Sequence, residues 1–194
     1  MRHFLPTLLV FFSVTLFSYG SLAGVTELSL STNYRNQKID SNNFTNSLSY
    51  TGSISYYFWE MSALELSYTK GESKQSFRLT GDTESTVATT EFELIGVDFV
   101  LSFAERKAAF QPFVKVGAAH IDKVFLLDPA GGTEAETGSQ SGIAPSAGVG
   151  MRIRFTQTFS LKMGVDAWAS PINDDSDDPE TVDYAGRVGI SWMF

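Results

Sequence analysis

The chain has no cysteine, which excludes a disulfide framework, a thiolate nucleophile and any Cys-ligated zinc or iron–sulfur centre. It is poor in histidine, with two residues, and poor in charge, at 19% where an ordinary soluble domain carries about 25%. Bases are scarcer than acids: 14 Lys and Arg face 22 Asp and Glu, for a net charge of −8. That sign speaks against a nucleic-acid partner, which needs a basic face. Beyond Phe17 no apolar run approaches the roughly 20 residues of a membrane-spanning helix. What the chain does have is 43% hydrophobic residues, too many for a disordered chain, with 16 Phe, 7 Tyr, 3 Trp and 16 Gly. A length of 194 residues suits one domain.

The start of the chain reads as an address. Met1-Arg2-His3 precedes an apolar stretch from Phe4 to Phe17, and Ser21-Leu22-Ala23 supplies small residues for cleavage. This is the pattern of a secretory signal peptide, so residues 1–23 are expected to be removed after export and residues 24–194 to form the domain. With no later spanning helix, any membrane is entered as a closed barrel.

Downstream, eight segments alternate with period two. In Ser146–Phe155 the odd positions are Ala147, Val149, Met151, Ile153 and Phe155, and the even ones Ser146, Gly148, Gly150, Arg152 and Arg154. The same division appears in Leu28–Tyr34, Leu48–Phe58, Ala63–Lys70, Ile95–Phe103, Phe159–Ala169 and Tyr184–Phe194. In Phe113–Ile121 the pattern is noisier, and Lys115 assigns Phe113, Gly117, Ala119 and Ile121 to the interior face. Upstream of Ile95 the parity breaks: Val87, Glu91 and Glu93 share its parity, which requires a bulge near Leu94 or exit from the membrane.

Connections alternate as well. Trp59-Glu60, 104–109 and 156–158 are short, whereas 35–47, 71–86, 122–142 and 171–182 are long, and both ends of the domain fall on the short side. One face is apolar, the other built from Gly, Ser, Thr and scattered charges. Aromatics cluster by height, with Tyr56, Phe58, Trp59, Phe103, Phe110, Phe155, Phe159, Trp192 and Phe194 toward the short turns and Tyr34, Tyr50, Tyr68 and Tyr184 toward the long loops. An aliphatic band between two aromatic girdles is the surface of an eight-stranded antiparallel up-and-down transmembrane β-barrel, an all-β fold. A soluble barrel would instead hide its apolar face inside.

The polar face places Glu65, Asp98, Lys115, Arg152, Arg154, Lys162, Asp166 and Arg187 in the lumen. Buried charges must pair or meet water, and an eight-stranded barrel is just wide enough for side chains to fill it. A self-satisfying polar plug is the expected outcome, with an ion path or gate as the rival.

The last eight residues, Arg187-Val188-Gly189-Ile190-Ser191-Trp192-Met193-Phe194, resemble the terminal assembly signal of bacterial outer-membrane proteins. The resemblance implies that the barrel-assembly machinery reads Arg187, Gly189, Trp192 and Phe194 during insertion. Over Val25–Phe194 the strand count and loop pattern resemble the small OmpA/OmpX-type outer-membrane β-barrel family. A monomer in the cell outer membrane follows from that resemblance, in contact with outer-membrane lipid and lipopolysaccharide and without cofactor. The implied role is structural or surface-interactive, through four long external loops.

Two features could carry chemistry instead. His120, the one His of the domain, faces outward near the outer rim by parity. The lipid A deacylase family places a Ser two residues after such a His; here Asp122 stands there, so that family's nucleophile is missing and a lipid-modifying enzyme is the lesser expectation. The acidic run holding Asp174, Asp175, Asp177 and Asp178 has the ligand density for Ca²⁺ but not the Gly and Glu spacing of an EF-hand loop. It reads as a solvated face, with no metal site assigned.

Overall fold

The computed structural model describes residues 24–38, 44–77, 86–105, 107–128, 135–169 and 182–194. The signal segment and the acidic run with Asp174, Asp175, Asp177 and Asp178 lie outside these residues. Eight strands close a barrel in sequence order, every neighbour antiparallel. They are β1 (Val25–Lys38), β2 (Phe44–Tyr57), β3 (Ser62–Phe77), β4 (Thr86–Ser102), β5 (Phe110–Asp128), β6 (Ala135–Arg154), β7 (Phe159–Ala169) and β8 (Val182–Met193). β8 closes on β1 from Glu27↔Met193 to Tyr34↔Gly186.

Period-two patterning fixes the register, because a one-residue slip would turn every apolar side chain into the lumen. Leu30 is 67% exposed and Ile143 71%, while Ser53, Ser55, Ser160 and Ser191 are buried. Among the described residues no helix is long and apolar enough to cross a membrane; the apolar surface belongs to the strands. Its aromatic rows stand on the outer wall: Tyr50, Tyr68 and Tyr184 at one height, Phe58, Trp59, Trp192 and Phe194 at the other, all exposed. Tyr184 and Trp192 share β8, and at ~3.3 Å per residue the strand between them spans about 26 Å. A tilt of ~40° leaves about 20 Å along the normal, close to the ~25 Å apolar band of an outer-membrane barrel. On the lower girdle Trp192 meets Phe159 edge to face at 5.7 Å.

The strands run further than the alternation indicates. β5 has 19 residues and β6 has 20, so ladder pairing occupies much of the ranges 71–86 and 122–142 expected as loops. The reason is physical: alternation is required only where one face meets lipid, and a hairpin rising into water keeps its backbone hydrogen bonds with both faces polar. The parity break above Ile95 is explained the same way. The β3–β4 ladder runs from Ser62↔Leu101 to Phe77↔Thr86 with no shift, so no bulge stands at Leu94. Glu93 faces outward beyond the tyrosine row and accepts from Lys70 Nζ at 2.7 Å. The shift that does occur lies between Phe125 and Leu126 on β5. On the other edge of β6, the described pairing with β7 runs from Ser146↔Trp168 to Arg154↔Ser160.

Candidate functional site in the barrel lumen

Three layers fill the barrel. At the short-turn end Tyr57, Ala63, Val100, Phe113 and Met193 form an apolar floor. Toward the long side Leu94, Ala119, Ile121 and Ala144 form a second apolar layer, with Phe92 and Trp168 against it. Between them lies a network of ion pairs contributed by seven strands, all but β2.

Glu27 on β1 takes Arg152 Nη2 at 2.6 Å and Lys162 Nζ at 3.2 Å. The Tyr57 hydroxyl donates to the same carboxylate at 2.7 Å and accepts from Arg152. Arg152 also donates to Gln111 Oε1 at 2.7 Å, and Gln111 donates on to Ala108 O at 2.9 Å, which ties the lumen to a short turn. Glu65 on β3 receives Lys162 at 3.0 Å, Lys115 at 3.7 Å, Arg187 at 3.8 Å and the Ser55 hydroxyl at 3.0 Å. Lys115 sits 3.2 Å from both Asp98 and Asp166; Ser146 donates to Asp98 at 2.6 Å, and Arg187 Nε lies 3.2 Å from Asp166.

The set balances. Four carboxylates, of Glu27, Glu65, Asp98 and Asp166, face four cations, of Lys115, Arg152, Lys162 and Arg187, all of them buried. Seven of the eight lumen residues expected from parity meet here. Arg154 is placed differently: at the strand end its guanidinium donates to Thr156 O at 2.9 Å and Gln157 O at 2.7 Å in the following turn. Glu27 takes its place in the count, turning an expected excess of bases into neutrality. Glu27 and Tyr57 were legible as inward positions, sharing parity with Ser29 and Ser55 respectively. Glu27 lies just before the Leu28–Tyr34 segment, and Tyr57 stands between the girdle aromatics Tyr56 and Phe58.

Free space in this layer is small. The cavity bounded by Asp98, Lys115, Asp166, Arg187 and Trp168 measures about 10 Å³, room for no more than about one water. Gly148 makes the fit possible: a Cβ there would come 2.5 Å from Asp166 Oδ1 and 2.8 Å from Lys115 Cε. We expect Gly148→Val to destabilise the barrel by at least the ~1–3 kcal/mol of an overpacked core, read as a lower urea midpoint in lipid vesicles. Gly52→Ala on the outer wall, where the nearest atom is Leu30 Cδ2 at 3.7 Å, should shift it by less than ~0.5 kcal/mol.

The assembly-signal residues divide between the two faces. Arg187 joins the lumen network and Gly189 faces inward opposite Lys162, while Trp192 and Phe194 project outward. Phe194 exchanges backbone bonds with Thr26, at 2.9 and 3.3 Å.

Outside the barrel, His120 Nε2 lies 3.4 Å from Asp122 Oδ2 and 3.5 Å from Ser141 Oγ, the latter a neighbour that sequence reasoning did not find. Both partners address the same ring nitrogen. A proton relay needs the acid on one nitrogen and the hydroxyl on the other, so the trio is not arranged as a nucleophilic triad. Among the described residues no group of three or more His, Asp or Glu is placed to hold a metal ion.

A barrel of this closure, with paired charges inside and an apolar band outside, can be set beside known proteins. The family model of the OprF membrane domain matches residues 8–194. The chain belongs to the OprF membrane-domain family. Among solved structures it is similar to the N-terminal β-barrel domain of Pseudomonas aeruginosa OprF, at 19% identity and a TM-score of 0.57, covering 88% of this chain and 99% of that one. It is also similar to the Neisserial surface protein A, at 14% identity and TM-score 0.57, over 90% and 98% of the two chains. The outer-membrane protein OprG of Pseudomonas aeruginosa aligns at 12% identity and TM-score 0.60, over 89% and 96%. No curated protein matches the chain by sequence. At these identities the structural likenesses speak for the fold alone, and membership of the OprF membrane-domain family makes this an outer-membrane barrel.

Proposed function

We propose that the chain is a monomeric outer-membrane barrel with a structural or surface-interaction role, and that its lumen is plugged by its own side chains. In this reading residues 1–23 are a cleaved signal peptide, and the barrel-assembly machinery inserts the domain by its terminal strand. Lipid and lipopolysaccharide surround the apolar band, and the long-side hairpins and loops carry the contacts with the exterior. The barrel has no catalytic site and needs no cofactor.

The observation that carries the plug is the balanced lumen set. Four acids neutralise four bases around a cavity of about 10 Å³. A passing ion would have to part several buried pairs at once. Each such break leaves an uncompensated charge in a low-dielectric interior, at a cost of several kcal/mol. The purified barrel in planar bilayers is therefore expected to show no steady openings. Recurrent single-channel steps of uniform size would overturn the plug and favour the narrow channel.

A further inference from the structure

The outer wall is not evenly filled. Between the two girdles a recess of about 640 Å³ lies over Gly52 on β2. Pairing sets Leu30 of β1 on one side of Gly52 and Tyr68 of β3 on the other. Ile54, Leu66 and Ile190 extend the walls, and all five side chains are exposed on the outer face. The glycine makes the recess: a Cβ there would have only Leu30 Cδ2 near it, at 3.7 Å. Among the described residues no charged side chain lines the space, and Ser53 and Ser191 at its floor bury their side chains on the inner face.

Its height is set by the girdle. Gly52 stands two residues from Tyr50 on β2, about 5 Å deeper at ~3.3 Å per residue and a tilt of ~40°. Above the tyrosine row Lys70 and Glu93 pair at 2.7 Å, where the wall turns polar. The recess therefore faces hydrocarbon in the long-loop half of the bilayer. Bulk lipid is as apolar as the wall, so what favours an occupant is packing: side chains around a void lose their contacts.

Width selects the occupant. β1 and β3 lie two strand spacings apart, about 9.6 Å, and the Leu30 and Tyr68 side chains narrow that gap. An α-helix, ~10–12 Å across, does not enter, and the convex wall of a second barrel rests on the rims. A single polymethylene chain reaches the floor. Ile54 and Ile190 are stiff at χ1, so the walls suit a straight, saturated chain over one kinked by a cis double bond.

We propose that this recess seats one saturated acyl chain of lipopolysaccharide. Resting on the orientation proposed above, with the long loops outside and lipopolysaccharide around that half of the band, this places the chain along Gly52 between Leu30 and Tyr68 and its head group above the tyrosine row.

The test is native mass spectrometry of the detergent-solubilised barrel titrated with hexa-acylated lipid A, the anchor of lipopolysaccharide. Wild type is expected to retain one lipid A saturably. Gly52→Leu, which fills the recess, should retain several-fold less, and Gly52→Ala an intermediate amount. Gly186→Leu is the control, an outward change on β8 outside the recess, where the nearest atom to a Cβ is Tyr34 O at 3.8 Å; it should bind as wild type does. Each variant should keep its heat-modifiable gel mobility, and the Gly52→Ala value decides if Gly52→Leu does not fold. Dioleoyl phosphatidylethanolamine, with kinked chains, should bind wild type and Gly52→Leu alike. Equal retention of lipid A by wild type and both Gly52 variants overturns the seat and leaves the lipopolysaccharide contact standing. No retention by any barrel overturns that contact as well. Loss of both lipids together in Gly52→Leu overturns lipopolysaccharide as the source, and a dimer that disappears in Gly52→Leu makes a second copy the occupant.

Discussion

Replacing Glu27 by Leu should destabilise the folded barrel by about 3–5 kcal/mol, the range for removing one partner of a buried pair. Glu27 is 0% exposed and Arg152 is 1% exposed. Among the described residues Glu27 is the one carboxylate within 4 Å of Arg152. Its loss leaves that guanidinium with neutral partners only, the Tyr57 hydroxyl and Gln111 Oε1. Lys162 suffers less, since it keeps Glu65 at 3.0 Å. A second substitution tests the cause. In Glu27→Leu/Arg152→Met both charges leave together, and the apolar floor of Tyr57, Ala63, Val100, Phe113 and Met193 stands ready to pack the new side chains. Replacing a buried pair by apolar groups of similar volume is often neutral or stabilising. The double variant should therefore recover most of the lost stability. Urea titrations of vesicle-embedded protein, followed by the mobility difference between folded and unfolded bands, give both values. A single variant within ~1 kcal/mol of wild type, or a double variant whose loss is the sum of two large single losses, would refute the assigned role of the pair.

The legibility of this arrangement in the sequence was uneven for physical reasons. Where a strand has lipid on one side and packed lumen on the other, each position is forced to one chemistry, and parity places Asp98, Lys115 or Asp166 on the inner face without coordinates. Which acid meets which base is a matter of shear and side-chain reach. Lys162 on β7 reaches Glu65 on β3 across the lumen, a contact no local pattern records. At strand ends the forcing relaxes. Arg154 has the parity of the lumen set, yet two carbonyls of the adjoining turn lie closer to hand. Above the tyrosine row both faces meet water, alternation fades, and long paired hairpins look like loops. Tyr57 shows the opposite difficulty: an aromatic beside the girdle residues Tyr56 and Phe58, it is 2% exposed and holds Glu27 and Arg152 together from inside.

Phe194→Ala should separate assembly from stability. The side chain is 62% exposed on the outer wall, so its removal opens no cavity in the lumen. The bonds that tie this end to β1 are backbone bonds with Thr26, which any residue can make. Purified Phe194→Ala is accordingly expected to refold into vesicles with a urea midpoint within about 1 kcal/mol of wild type, the range of a surface change with modest loss of apolar contact. In cells the expectation is different. If the terminal strand is read by the assembly machinery before the barrel closes, the aromatic at the last position is needed at that step and not afterwards. Most of the variant should then fail to reach the outer-membrane fraction while an Arg154→Gln control, altered at a turn, reaches it normally. Normal outer-membrane levels of Phe194→Ala would remove the assembly role from this residue. A large loss of refolded stability would instead show that the ring serves the finished barrel, by anchoring the lower girdle beside Trp192 and Phe159.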